Sequence, residues 1–226
     1  MEQGKYRNVS KVVSEIVHPT IPPYSSSLPK QPKNACDWGL KHEQSARHAY
    51  QTVEKKRHHN LKLHSKGFLI SNRKPFLGAS VDDIKTCSCR DCHPVVIEYK
   101  CPWKHKEKSA KEAFLTPEVG GKQVGDSYVL KPTSKYYHQV QLQMFVCNLM
   151  LCHLVVWTKL GVFVVEVPFN ENFMKSVIAK LEVFWISHVL PKMMLEINVT
   201  AGLNTTTLSG KNSFIYNYIN ASLCLI

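Results

Sequence analysis

The sequence predicts an α/β domain, a central mixed β-sheet flanked by α-helices. Three observations lead there. Short β-type runs occur at 67–71, 76–82 and 95–100. Helix-length amphipathic segments stand on either side of them, at 37–52 and 136–151. A pair of apolar runs at 153–158 and 162–167, joined by a turn at Leu160-Gly161, reads as a β-hairpin, and a further amphipathic helix follows at 170–189.

In chain order, Val12, Val13, Ile16 and Val17 form a short helical pattern. A Pro- and Ser-rich stretch, 19–32, then reads as an extended connector. In the 37–52 helix Asp37 is the expected N-cap, and Glu43, Ala46, Arg47 and Tyr50 fall at i, i+3, i+4 and i+7 on one face. Residues 55–64 are basic and His-rich. Residues 103–134 are Lys-rich, carry Gly120, Gly121 and Gly125, and read as a mobile insertion. After Pro191 the periodicity fades, and 196–226, rich in Asn, Thr and Ser, is expected to be poorly ordered. The organisation is thus an N-terminal helix and connector (1–34), one domain (35–195) and a tail (196–226), without internal repeats.

The 226 residues carry a formal charge of +12. It is unevenly spread: residues 1–138 hold 24 Lys or Arg against 13 Asp or Glu, a net +11. Such a balance suits a polyanionic partner, because Lys and Arg bound to phosphates displace condensed counterions. No apolar run approaches the ~20 residues that span a bilayer, and Met1 to Ser10 is polar, unlike a signal peptide. An intracellular protein, nuclear if eukaryotic, is expected. The eight cysteines then read as thiols or metal ligands.

The strand Val-Val-Ile-Glu-Tyr-Lys (95–100) sets two ionisable groups in an apolar run. Side chains alternate along a strand, so Glu98 and Lys100 share one face and Ile97 and Tyr99 the other. Residues 76–82 can pair beside it and end in acids. If Asp82 lies next to Glu98, two carboxylates and a lysine converge, a set suited to a hard divalent cation that also binds phosphate oxygens.

These residues resemble the YqaJ-like viral recombinase family, which includes phage lambda exonuclease and belongs to the PD-(D/E)XK nuclease superfamily. Gly-Ala-Ser-Val-Asp-Asp (78–83) and Ile-Glu-Tyr-Lys-Cys-Pro (97–102) look like its metal-site strands. Trp-Gly-Leu-Lys-His-Glu-Gln-Ser-Ala-Arg-His-Ala-Tyr (38–50) is similar to its Gly…Glu…Ala…Tyr helix, and Tyr-Tyr-His-Gln-Val-Gln-Leu-Gln-Met (136–144) to its Tyr…Gln-Val-Gln helix. Val-Val-Trp-Thr (155–158) matches the strand that follows. The blocks occur in family order over residues 36–195. The resemblance implies a restriction-endonuclease-like core and Mg²⁺-dependent (or Mn²⁺-dependent) hydrolysis of DNA. It implies an exonuclease working from duplex ends in recombination or in viral or mobile-element DNA processing. Asp82, Glu98 and Glu43 would hold the metal, Lys100 would act on the nucleophilic water, and Gln139 would orient Lys100 or a phosphate. Gln143, Arg47 and Tyr136 would face substrate. Ring-forming relatives make a homo-oligomer one option.

Two departures stand out. The family usually has Pro-Asp-Gly where this chain has Val81-Asp82-Asp83, and an Arg-x-Thr/Ser-Ala-Ser helix upstream that has no counterpart here, as in a shortened member. Both leave open an inert DNA-binding or assembly module of the same fold. Between the two site strands, Cys87, Cys89, Cys92 and His93 offer soft ligands for Zn²⁺, or simply a loop with free thiols. A third reading is therefore a basic interaction protein built around zinc.

Overall fold

The computed structural model of the protein describes residues 8–19 and 34–203, with side chains as far as Glu196. Most of the expected connector and residues 204–226 lie outside the described residues. Five strands form one mixed sheet in the order β1-β2-β3-β6-β7: β1 (Lys62–Ile70), β2 (Gly78–Thr86), β3 (Val95–Lys100), β6 (Leu151–Thr158) and β7 (Gly161–Pro168). Strands β3 and β6 are parallel, and every other neighbouring pair is antiparallel. A parallel pair needs a long crossover. Here it comprises a short helix α3 (Ala110–Phe114), a hairpin of β4 (Gly121–Val124) and β5 (Ser127–Leu130), and helix α4 (Lys135–Cys147).

The central strand explains its own composition. Helix α2 (Ala35–Glu54) covers one face of the sheet and α4 the other. Val95 through Tyr99 are all buried in consequence, and the strand reads as one apolar run rather than an alternating one. On the α2 side Val95, Ile97, Tyr99 and Val155 pack with Ala46 and Tyr50. On the α4 side Val96, Leu154 and Val156 pack with Val140 and Met144. Glu98 and Lys100 occupy the α4 face, as strand alternation predicts.

Several boundaries differ from the sequence reading. Helix α2 is capped by Asn34, whose side chain accepts from Asp37 N–H, so Asp37 sits inside the first turn. There its charge favours the helix N-terminus. Strand β2 continues past Asp82 to Thr86. Helix α4 stops at Cys147, where Asn148 takes the left-handed conformation at φ 55°.

The 103–134 insertion is a built part of the core. A capping box between Ser109 and Glu112 starts α3. Phe114, Val119 and Leu130 are buried in the α4-side cluster. A Cβ on Gly121 would lie 2.3 Å from the Phe114 ring, so only glycine lets the hairpin approach that closely.

Helix α5 (Glu171–Phe184) begins at the Asn170 cap, passes through a π-helical turn (Trp185–Val189) and continues as α6 (Leu190–Leu203). The tail expected to lack regular structure is thus helical to Leu203. Helix α1 (Val9–Val17) buries Val12, Val13, Ile16 and Val17 against Val189 of the π turn, away from the sheet. Among the described residues, no helix is long and apolar enough to cross a membrane.

Candidate active site

The site forms where β2 and β3 part. Their ladder runs from Lys85↔Val95 to Asp83↔Ile97. One residue further, Asp82 Oδ2 accepts the Tyr99 N–H at 2.9 Å, so a side chain takes the place of a strand carbonyl. The strands part in a wedge there; Glu98 and Lys100 are bonded to each other beside it, and Asp82 and Glu43 of α2 are near enough for their charges to act on one another. Burial, followed by the charge of Glu98, pushes the Asp82 carboxyl up to about 8, although the Tyr99 N–H favours its ionised form. Burial and then Glu98 and Asp83 likewise raise Glu43. Carboxylates that disturb one another in this way lie within electrostatic reach of each other in poorly solvated surroundings.

Glu98 is the most constrained of them, at 3% exposure. Its Oε1 accepts from Lys100 Nζ, and also from Gln139 Nε2 at 2.8 Å. Its Oε2 accepts from Gln143 Nε2 at 2.6 Å, and the same amide donates to the Ser80 carbonyl at 2.7 Å. Gln139 and Gln143 lie one helical turn apart on α4 and both aim at this carboxylate. Burial disfavours charge on Lys100, but the Glu98 carboxylate outweighs it and raises the amine above its usual value. The ammonium also sits 4.5 Å from the centre of the Tyr136 ring.

Asp82, Glu98, Lys100, Glu43, Gln139 and Tyr136 are therefore gathered at one place. Gln143 is gathered too, but in another role. It is 1% exposed and bonded to Glu98, so it holds that carboxylate and is shielded from solvent. Arg47 faces elsewhere as well. Its Nε and Nη2 donate to Asp83 at 2.7 and 3.1 Å, and Nη2 also reaches the Leu63 carbonyl at 3.0 Å. A guanidinium fork engaged with a buried carboxylate is a structural clamp, in place of the substrate contact expected of it.

Asp83, which replaces the family's glycine, points to the α2 face. It is 1% exposed and accepts from Arg47 and from Tyr99 Oη at 2.9 Å. It neither faces solvent nor joins Glu98, because Arg47 and Tyr99 satisfy it on the far side of the strand. The signal available was an acid and a base on β2 and α2, but their pairing depends on how α2 crosses the sheet.

The expected soft-metal set also changes. His93 is exposed and apart from the cluster. His58, between α2 and β1, takes its place beside Cys87, Cys89 and Cys92. The clue was a Cys-x-Cys-x-x-Cys run one ligand short, with a His-rich segment ahead of the partner strand.

The model of the YqaJ-like viral recombinase domain matches residues 1–150. The chain belongs to that family. Among solved structures it is similar to an alkaline exonuclease (LHK-Exo) from Laribacter hongkongensis, at 18% identity and a TM-score of 0.53, over 87% of this chain and 93% of that one. A second structure of LHK-Exo, in complex with dAMP, matches at 17% identity and TM-score 0.53, over 86% and 93%. These likenesses establish a shared fold. No curated protein matches the chain.

Proposed function

We propose that the protein is a divalent-metal-dependent deoxyribonuclease, an exonuclease acting on duplex DNA ends in recombination or viral and mobile-element DNA processing, with 5′-phosphate products. The observation that carries this is the mutual electrostatic influence of Asp82, Glu98 and Glu43 beside Lys100, which is bonded to Glu98. Family membership and the basic charge of the chain support it.

The donor set fits a small hard cation. Crowded carboxylates raise one another's pKa in the metal-free state, and a dication relieves that repulsion. Cys101, at the end of β3, is a soft thiol whose proton burial and then Glu43 help retain, whereas Mg²⁺ or Mn²⁺ prefers oxygen donors. Asp82, Glu98 and Glu43 would hold Mg²⁺ or Mn²⁺. Such an ion acidifies bound water and neutralises charge on a scissile phosphate.

The chain's own groups do the rest. Gln139 and Gln143 fix Glu98 so that it needs no reorganisation on binding. Lys100, kept charged by Glu98 and steadied over Tyr136, presents a cation where the attacking oxygen and the phosphate meet. The replacement of glycine by Asp83 is one of the two features that leave an inert module open. Arg47 neutralises that carboxylate away from the wedge, so the substitution leaves the chemistry room to proceed. Action on DNA implies an intracellular site, nuclear in a eukaryote, and a homo-oligomer would give a processive form.

The test is incubation of end-labelled linear duplex with Mg²⁺ and wild-type protein, Asp82→Asn or Lys100→Ala. Wild type is expected to release nucleotides from the ends, and both variants to lose at least ~100-fold in rate, the scale of one lost charge stabiliser. Equal activity in all three, or none in any, overturns the reading.

A further inference from the structure

A second cluster, outside the acidic wedge, has its own chemistry. His58 Nδ1 lies 3.6, 3.7 and 3.5 Å from the sulfurs of Cys87, Cys89 and Cys92. All four ligand atoms fall within 4.8 Å of one another. We propose that these four side chains bind a structural zinc ion that fastens the end of α2 to the β2–β3 loop.

The geometry is that of a tetrahedral site. With Zn–S near ~2.3 Å and Zn–N near ~2.0–2.1 Å at tetrahedral angles, sulfur and nitrogen should stand about 3.5–3.6 Å apart. The three separations above lie at or just beyond that value. A loop of free thiols has no reason to gather three sulfurs around one ring nitrogen.

The surroundings are those of a metal-bound histidine. His58 Nε2 is 3.3 Å from Glu54 Oε2, which fixes the ring so that Nδ1 is the atom left to face the sulfurs. Glu54 is itself buried and accepts from Lys85 Nζ at 2.8 Å, which anchors it to β2. One sulfur is also supported from the backbone: the His59 N–H donates to Cys89 Sγ at 3.3 Å. Ser88 N–H donates to the His59 carbonyl at 2.9 Å, closing the loop onto the segment that carries His58. Four protein ligands complete a tetrahedron and leave no open position, so the ion is structural.

Its placement gives it a purpose. Helix α2 carries Glu43, β2 carries Asp82 and β3 carries Glu98. The β2–β3 loop is the covalent link between two of these elements, and zinc would tie it to the third.

The experiment uses the full chain, purified from zinc-replete medium without chelator and dialysed. Elemental analysis is expected to give stoichiometric zinc, released when an organomercurial caps the cysteine thiolates that hold it. Cobalt substitution is expected to give the near-ultraviolet sulfur-to-cobalt charge-transfer band together with intense tetrahedral visible bands. His58→Ala should lose the tightly held zinc, whereas His93→Ala and Asp82→Asn should keep it. The Asp82→Asn result separates this site from the wedge, since zinc content there is independent of nuclease activity. The cobalt spectrum of wild type stands even if His58→Ala fails to fold. Absence of zinc and of the charge-transfer band overturns the proposal, as does loss of zinc in His93→Ala but not in His58→Ala.

Discussion

Arg47→Leu separates a clamp from a DNA contact. In the folded protein Asp83 is 1% exposed and receives three hydrogen bonds, two from Arg47 and one from Tyr99 Oη. Removing the guanidinium strands a buried carboxylate with a single neutral donor. Breaking a buried ion pair from one side costs about 3–5 kcal/mol. The Tyr99 hydroxyl persists and Arg47 is itself 29% exposed, so the lower end, about 3 kcal/mol, is expected. Adding Asp83→Asn should restore most of the loss, because the stranded charge goes with it. Urea denaturation of wild type, both single variants and the double variant measures the coupling. A cost for Arg47→Leu below about 1 kcal/mol, or no rescue by Asp83→Asn, refutes the clamp. Unchanged stability with weakened DNA binding would return Arg47 to the substrate.

Three further outcomes are expected. Gln143→Leu removes the donor to Glu98 Oε2 and Ser80 O and should weaken divalent-metal affinity by about 10–100-fold, measured by calorimetry, with DNA affinity little changed. In the metal-free protein the Asp82 carboxyl sits at about 8, above its unfolded value, so its folded state favours the proton. The stability it contributes is complete below the unfolded pKa and is lost as pH rises toward 8. Mn²⁺ should therefore raise the melting temperature more at pH 8 than at pH 6, and the difference should vanish in Asp82→Asn. Phe114→Ala, at a fully buried position against Gly121, should cost about 3–5 kcal/mol in chemical denaturation; a cost under 1 kcal/mol would show the crossover insertion to be loosely attached.

What the sequence could reveal followed from the range of each interaction. Glu98 and Lys100 share a face because strands alternate, and Gln139 and Gln143 share one because helices repeat. Both facts are local, and both were legible. Arg47–Asp83 and His58–Cys92 span long stretches of chain and depend on how α2 meets the sheet, which no local period encodes. The hairpin insertion was misread because its lysines and glycines outnumber the apolar residues that anchor it, among them Phe114, Val119 and Leu130. The family blocks singled out Asp82, Glu98 and Lys100. They could not show that Gln143 is sealed beneath Glu98, since burial comes from packing across β2 and β3.

The most direct test is calorimetric titration of Mn²⁺ into metal-free protein at pH 7, in buffers of different ionisation enthalpy. A protonated Asp82 must release its proton to the buffer when the ion binds. Wild type should bind with net proton release, and Asp82→Asn should show neither the binding nor the release. Identical isotherms for the two proteins, or no binding heat in wild type, would contradict a metal-dependent nuclease built on this wedge.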